Sequence, residues 1–153
     1  MNAEPIVAFT LALKANGVKY GLGSKAKSLN AKPSEYRDQN GGKAIDCSGF
    51  VRYLLHFVFA LDIPDGSVNQ RDWIKANGFK KCAPSDVGNK DGAVRIAFLP
   101  PIPGVRKVGH VMLVVNGETC ESHGGKGPNM RAWNPDKYHF MHDCVTYVLC
   151  PPV

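Results

Sequence analysis

Asp46-Cys47-Ser48-Gly49-Phe50-Val51-Arg52-Tyr53-Leu54-Leu55-His56-Phe57-Val58-Phe59-Ala60 is the most informative stretch of this 153-residue chain. Asp46 is a helix-capping residue type. Behind it, Phe50, Val51, Leu54, Leu55, Val58 and Phe59 nearly encircle a helix over Cys47–Ala60, which makes that helix central and buried. A cysteine therefore falls in the first turn of a core helix. The unpaired N–H groups and positive dipole end found there favour thiolate over thiol. The same N–H groups can receive the oxyanion of a tetrahedral intermediate. Such a nucleophile still needs a base to orient it and to protonate the leaving group.

Working outward, Pro5–Asn16 reads as a first helix, with proline in its opening turn and Gly17 past its end. Tyr20–Lys43 is rich in Gly, Ser, Lys and Asn and reads as a long surface loop, and Ser67–Ala76 reads as a third helix. The second half reads as strands: Ala93–Leu99, His110–Val115, Glu118–Ser122 and Cys144–Leu149. Asn116-Gly117 is a two-residue type I′ hairpin signal. It pairs Val115 with Glu118, Leu113 with Cys120 and His110 with His123. Helices followed by antiparallel strands give an α+β class. The register puts His110 on one sheet face with Met112, Val114, Thr119, Glu121 and His123. His110 is thus the candidate base, and Glu121 or His123 the candidate third residue that holds its tautomer.

The run D-C-S-G-F-V from Asp46, followed by G-H-V at Gly109–Val111, resembles the NlpC-type cell-wall cysteine peptidases. Tyr20-Gly21-Leu22-Gly23, Ile63–Gln70 and Asp91–Phe98 resemble further motifs of that family, so the likeness extends from Val18 to His123. Lys90-Asp91-Gly92 departs from its Pro-Gly-Asp turn, and Asp65 stands where relatives often carry Arg. The resemblance implies a papain-like fold in one domain over residues 1–153, the nucleophile helix packed on a C-terminal antiparallel sheet. It implies Cys47 as nucleophile, His110 as base, and Glu121 as third residue with His123 as the alternative. Tyr20, Asp46 and Ser48 match positions that line the pocket and hold a stem-peptide amine. It calls for no cofactor and no metal. The implied reaction is hydrolysis of a stem-peptide amide in peptidoglycan, the D-Glu to diamino acid bond first. An N-acetylmuramoyl-L-alanine amidase, a deamidase or acyltransferase with the same dyad, and a catalytically silent wall-binding protein stay open.

Composition sets the outer bounds. With 44% apolar and 21% charged residues, disorder, collagen and coiled coil are excluded. The net charge of +6 favours anionic partners of any kind; the resemblance selects the bacterial wall over nucleic acid. Leu54–Leu61, interrupted by His56, is far short of the ~20 residues of a membrane span. No leader is visible, so a soluble monomer is expected. It would act at the wall or periplasm after export, injection or lysis, as phage components and secreted antibacterial effectors of this type do, with an immunity or delivery protein left open. Lys25–Arg37 supplies basic residues for anionic envelope polymers. Five cysteines without a C-x-x-C pair read mostly as small core residues, Cys47 apart, with a Cys144–Cys150 bridge left open. A zinc cluster of His123, His139, His142 and Cys144 matches no standard spacing.

Overall fold

The Asp46 backbone is extended (φ −89°, ψ 179°), and its side chain accepts the Gly49 N–H at 2.8 Å. Helix α2 therefore starts at the expected cap and runs over Cys47–Phe59. It stops at Ala60, which turns left-handed (φ 52°) and returns its N–H to His56 O. The computed structural model describes residues 3–104, 107–134 and 144–152, so His139 and His142 lie outside the described residues. Around α2 stand α1 (Glu4–Ala15) and α3 (Ser67–Ala76), with α1 ending at Gly17 (φ 76°). Two short parallel strands, β1 (Lys19–Tyr20) and β2 (Ala44–Ile45), lead into α2. None of the described helices is long and apolar enough to cross a membrane.

The second half forms a six-stranded antiparallel sheet. Its strands are β3 (Lys80–Cys82), β4 (Val94–Leu99), β5 (His110–Val115), β6 (Glu118–His123), β7 (Gly127–Asn129) and β8 (Val145–Cys150). Their spatial order is β3-β8-β4-β5-β6-β7, so the last strand in sequence lies inside the sheet. The arrangement is α+β, as expected. Asn116 (φ 47°) and Gly117 (φ 81°) both take positive φ, the signature of a type I′ turn. The β5–β6 ladder pairs Val115 with Glu118, Val114 with Thr119 and Leu113 with Cys120. Beyond Cys120, β6 turns to a new partner, β7, where Glu121 faces Asn129 and His123 faces Gly127.

Both sheet faces are covered, which explains why β4 and β5 read as almost unbroken apolar runs. On one side Ile96, Phe98, Val111 and Leu113 pack against Phe50, Val51 and Leu54 of α2 and Ile6 and Phe9 of α1. On the other, Ala97, Leu99, Met112 and Val114 meet Val87 and Trp133. Full burial of such side chains is worth about 1.5–3 kcal/mol each. Phe9 meets Tyr53 edge-on at 4.8 Å, tying α1 to α2. Cys150 belongs to the first cluster, whereas Cys144 packs against the second.

The 20–43 segment is not the featureless surface loop its composition predicts. Tyr36 is fully buried and donates to Ala44 O at 2.5 Å. Lys27 N–H donates to Arg37 O and Gln39 N–H to Lys25 O, which closes the segment on itself. Asp38 accepts the N–H groups of Asn40, Gly42 and Ala44. Short polar residues here build an internal scaffold against α2.

Candidate active site

Capping by Asp46 fixes Cys47 at the tip of α2, where it is almost wholly buried. Its Sγ lies 3.9 Å from Gly109 O, immediately before β5. That approach depends on Gly109: a Cβ there would come within 2.6 Å of Ser67 Oγ and 3.1 Å of Leu99 O. His110 opens β5 and reaches both Cys47 and Glu121. Its Nε2 stands 2.8 Å from Glu121 Oε1, which leaves Nδ1 as the ring nitrogen for the thiol. Burial alone would lower the His110 pKa. The hydrogen bonds and charges of Cys47 and Glu121 outweigh it and raise the value to about 9.

Glu121 has no exposed surface. Burial pushes its pKa up, but hydrogen bonds from His110 and Arg131 and the His110 charge bring it down to about 2. Arg131 is a residue that the sequence reading missed. Its Nη2 donates to Oε1 at 2.6 Å and its Nε to Oε2 at 3.2 Å. Backbone bonds between Arg131 and Thr119 pin it there: Thr119 N–H donates to Arg131 O at 2.7 Å, and Arg131 N–H to Thr119 Oγ1 at 3.0 Å. His123 is drawn elsewhere, its Nε2 3.1 Å from Asn129 Nδ2. Burial and the Arg131 charge hold His123 below its ordinary value. Of the two candidates for a third residue, the structure brings Glu121 to His110.

The remaining predicted residues gather on the other flank of Cys47. Burial, then the charges of Cys47 and Asp46, push the Tyr20 phenol above its ordinary value. Asp46 also accepts the Gly23 N–H at 3.1 Å. Lys25, read from the sequence as part of a basic surface loop, instead turns its ammonium onto Asp46 and Ser48. Gln70 fastens α3 to this corner, its Nε2 donating to Ser48 O and Pro64 O, both at 2.9 Å. The cleft over Cys47 has a volume of about 390 Å³. Leu22, Val68 and Val108, exposed by 69%, 40% and 48%, line it and give it an apolar rim. A larger hollow of about 760 Å³ between α1 and the 116–117 turn contains neither Cys47 nor His110.

No protein-family model matches the sequence, and no curated protein does. The structure has clear counterparts. The NlpC/p60 domain of the peptidoglycan hydrolase SagA superposes with a TM-score of 0.56 at 22% identity, covering 95% of this chain and 97% of its own. The fold is that of the NlpC/p60 domains. A Staphylococcus aureus protein similar to a lipoprotein of the NLP/P60 family gives 0.56 at 14% identity, covering 99% of this chain. The resuscitation promoting factor interacting protein RipA gives 0.52 at 18%, covering 98%. This chain spans 43% and 64% of those two longer chains.

Proposed function

We propose that this chain is a peptidoglycan hydrolase of the NlpC/p60 family that cuts a stem-peptide amide, the D-Glu to diamino acid bond first. The observation that carries the reading is the apposition of Cys47 at the α2 tip with His110, whose far nitrogen is held by buried Glu121. SagA, which shares the fold over nearly its whole domain, is described as a peptidoglycan hydrolase.

In the proposed reaction Cys47 Sγ passes its proton to His110 and attacks the amide carbonyl carbon, and the carbonyl oxygen takes the negative charge. N–H groups at the start of α2 face that oxygen. Protonated His110 gives its proton to the leaving nitrogen as the C–N bond breaks, which releases the amine and leaves a thioester on Cys47. Neutral His110 then takes a proton from water as that water attacks the thioester. Collapse of the second tetrahedral species breaks the C–S bond and frees the carboxylic acid, which ionises in water, and the His110 proton returns to Sγ to restore the thiol–imidazole pair. With its pKa near 9, His110 holds the required proton at neutral pH.

The reading is tested by mass spectrometry of purified muropeptides incubated with wild type and with Cys47→Ala. New fragments from wild type alone are expected, heavier in sum than the parent by one water, and their masses name the bond. Equal digestion by Cys47→Ala would overturn the mechanism. Fragments joined without water would indicate acyl transfer instead.

A further inference from the structure

Lys25 is the one cation seated against Cys47's immediate neighbours among the described residues. Its Nζ stands 2.7 Å from each Asp46 carboxylate oxygen and 2.8 Å from Ser48 Oγ. The Asp46 side chain is only 8% exposed, and its two oxygens also take the N–H groups of Gly49 and Gly23. The seat is shaped for this side chain. A Cβ on Gly49 would come within 3.0 Å of Lys25 Cδ and 2.8 Å of Asp46 Oδ1. Gln39 fixes the backbone above it, accepting the Lys25 N–H at 2.8 Å and donating to Gly23 O at 2.9 Å.

A buried carboxylate and a hydroxyl on either side of a nucleophile make a site for a substrate cation. Here that site is already full. A second ammonium has to displace Lys25 from a sheltered ion pair, and the displaced charge has to find water. Asp46 is the only acid among the described residues that line the cleft, and Lys25 and Lys107 are the cations among them. Among the described lining residues no second carboxylate attracts a substrate ammonium, and the two lysines repel it.

We propose that Lys25 is a specificity residue, a built-in cation that fills the seat beside Cys47. It thereby directs the cleft to peptides whose N-terminus is acylated and away from peptides that end in a free ammonium. The inference rests on the stem-peptide reading for its substrate class. In those terms it assigns the protein to stems still joined to glycan through an amide, rather than to peptides already released from it.

The test uses two peptides, L-Ala-γ-D-Glu-diaminopimelate and the same peptide acetylated on the alanine nitrogen. Calorimetry measures their Kd values on Cys47→Ala, which cannot turn them over. The acetylated peptide is expected to bind at least tenfold more tightly. Adding Lys25→Ala should collapse or invert that ratio, because the free amine can then sit on Asp46 and Ser48. Lys25→Met, which keeps the aliphatic stem against Gly49, gives the same readout should Lys25→Ala fail to fold. Equal affinities with Lys25 present, a ratio unmoved by its removal, or no binding of either peptide overturns the inference. If the binding ratio and its loss appear while wild type cuts neither peptide nor sacculi, the hydrolase reading falls and the inference stands.

Discussion

Glu121 has no exposed surface and still carries a charge, because His110 and Arg131 share it. Replacing it by glutamine keeps the shape and removes the charge that helps lift His110 to about 9. The His110 pKa then falls, so the alkaline limb of the proposed hydrolysis should move to lower pH. The maximal rate should drop about 10²-fold, on the scale of impaired acid–base catalysis. A pH–rate profile of Glu121→Gln with an unmoved alkaline limb would remove Glu121 from this role. His123→Ala should stay within about twofold of wild type, since that ring is turned to Asn129. Cysteine chemistry divides in the same way. Burial raises Cys120 to about 12, so iodoacetamide at pH 7 should leave it unmodified in the folded protein while Cys47 reacts at the cleft. Peptide mapping that finds Cys120 labelled as fast as Cys47 would contradict this reading of the two environments.

At the scale of elements, the 116–117 hairpin is where local sequence and structure agree most closely. Gly117→Ala forces a Cβ onto a φ of 81° and toward Gly88 O at 3.2 Å. It should cost about 1–2 kcal/mol, read as a lower urea midpoint; an unchanged midpoint would mean that the turn can relax. The α2 start at Cys47, α3 and β5 were legible to the residue, since caps and apolar periodicity are local signals. Glu121 was legible only as one of two options. A hairpin register extrapolated past Cys120 pairs His110 with His123, and nothing in β6 itself announces its change of partner to β7. β7 is Gly127-Pro128-Asn129, three residues with poor strand preference. Missing it also hid Arg131, which follows it. Lys25 was read as surface because its partner, Asp46, is 21 residues away and no periodicity links them. Contacts of that kind are made by the tertiary fold, not by local propensity.

For the whole molecule, the buried His110–Glu121 pair predicts a stability profile. His110 is raised from 6.5 to about 9, so its contribution is complete below pH 6.5 and fades as pH climbs through about 9. Glu121 is lowered from 4.5 to about 2, so its contribution is complete above pH 4.5 and fades as pH falls through about 2. Thermal melts should therefore plateau between pH 4.5 and 6.5 and decline on both sides. Glu121→Gln should remove the acid limb and move the alkaline limb, to which Cys47 also contributes, to lower pH, and a variant that keeps both unchanged would assign them to other groups. The interior position of β8 bears on something different, the order of events during synthesis. Among the described strands β3 pairs with β8 alone, and β4 meets β8 on one side. While residues 145–150 are still within the ribosome, β3 has no strand to dock on and one edge of β4 is open. Helix α2 with Cys47, strand β5 with His110, and Glu121 all emerge earlier. A nascent chain thus holds every proposed catalytic group before it holds the strand that joins the two parts of the sheet, and chaperones have that interval in which to shield the open β4 edge.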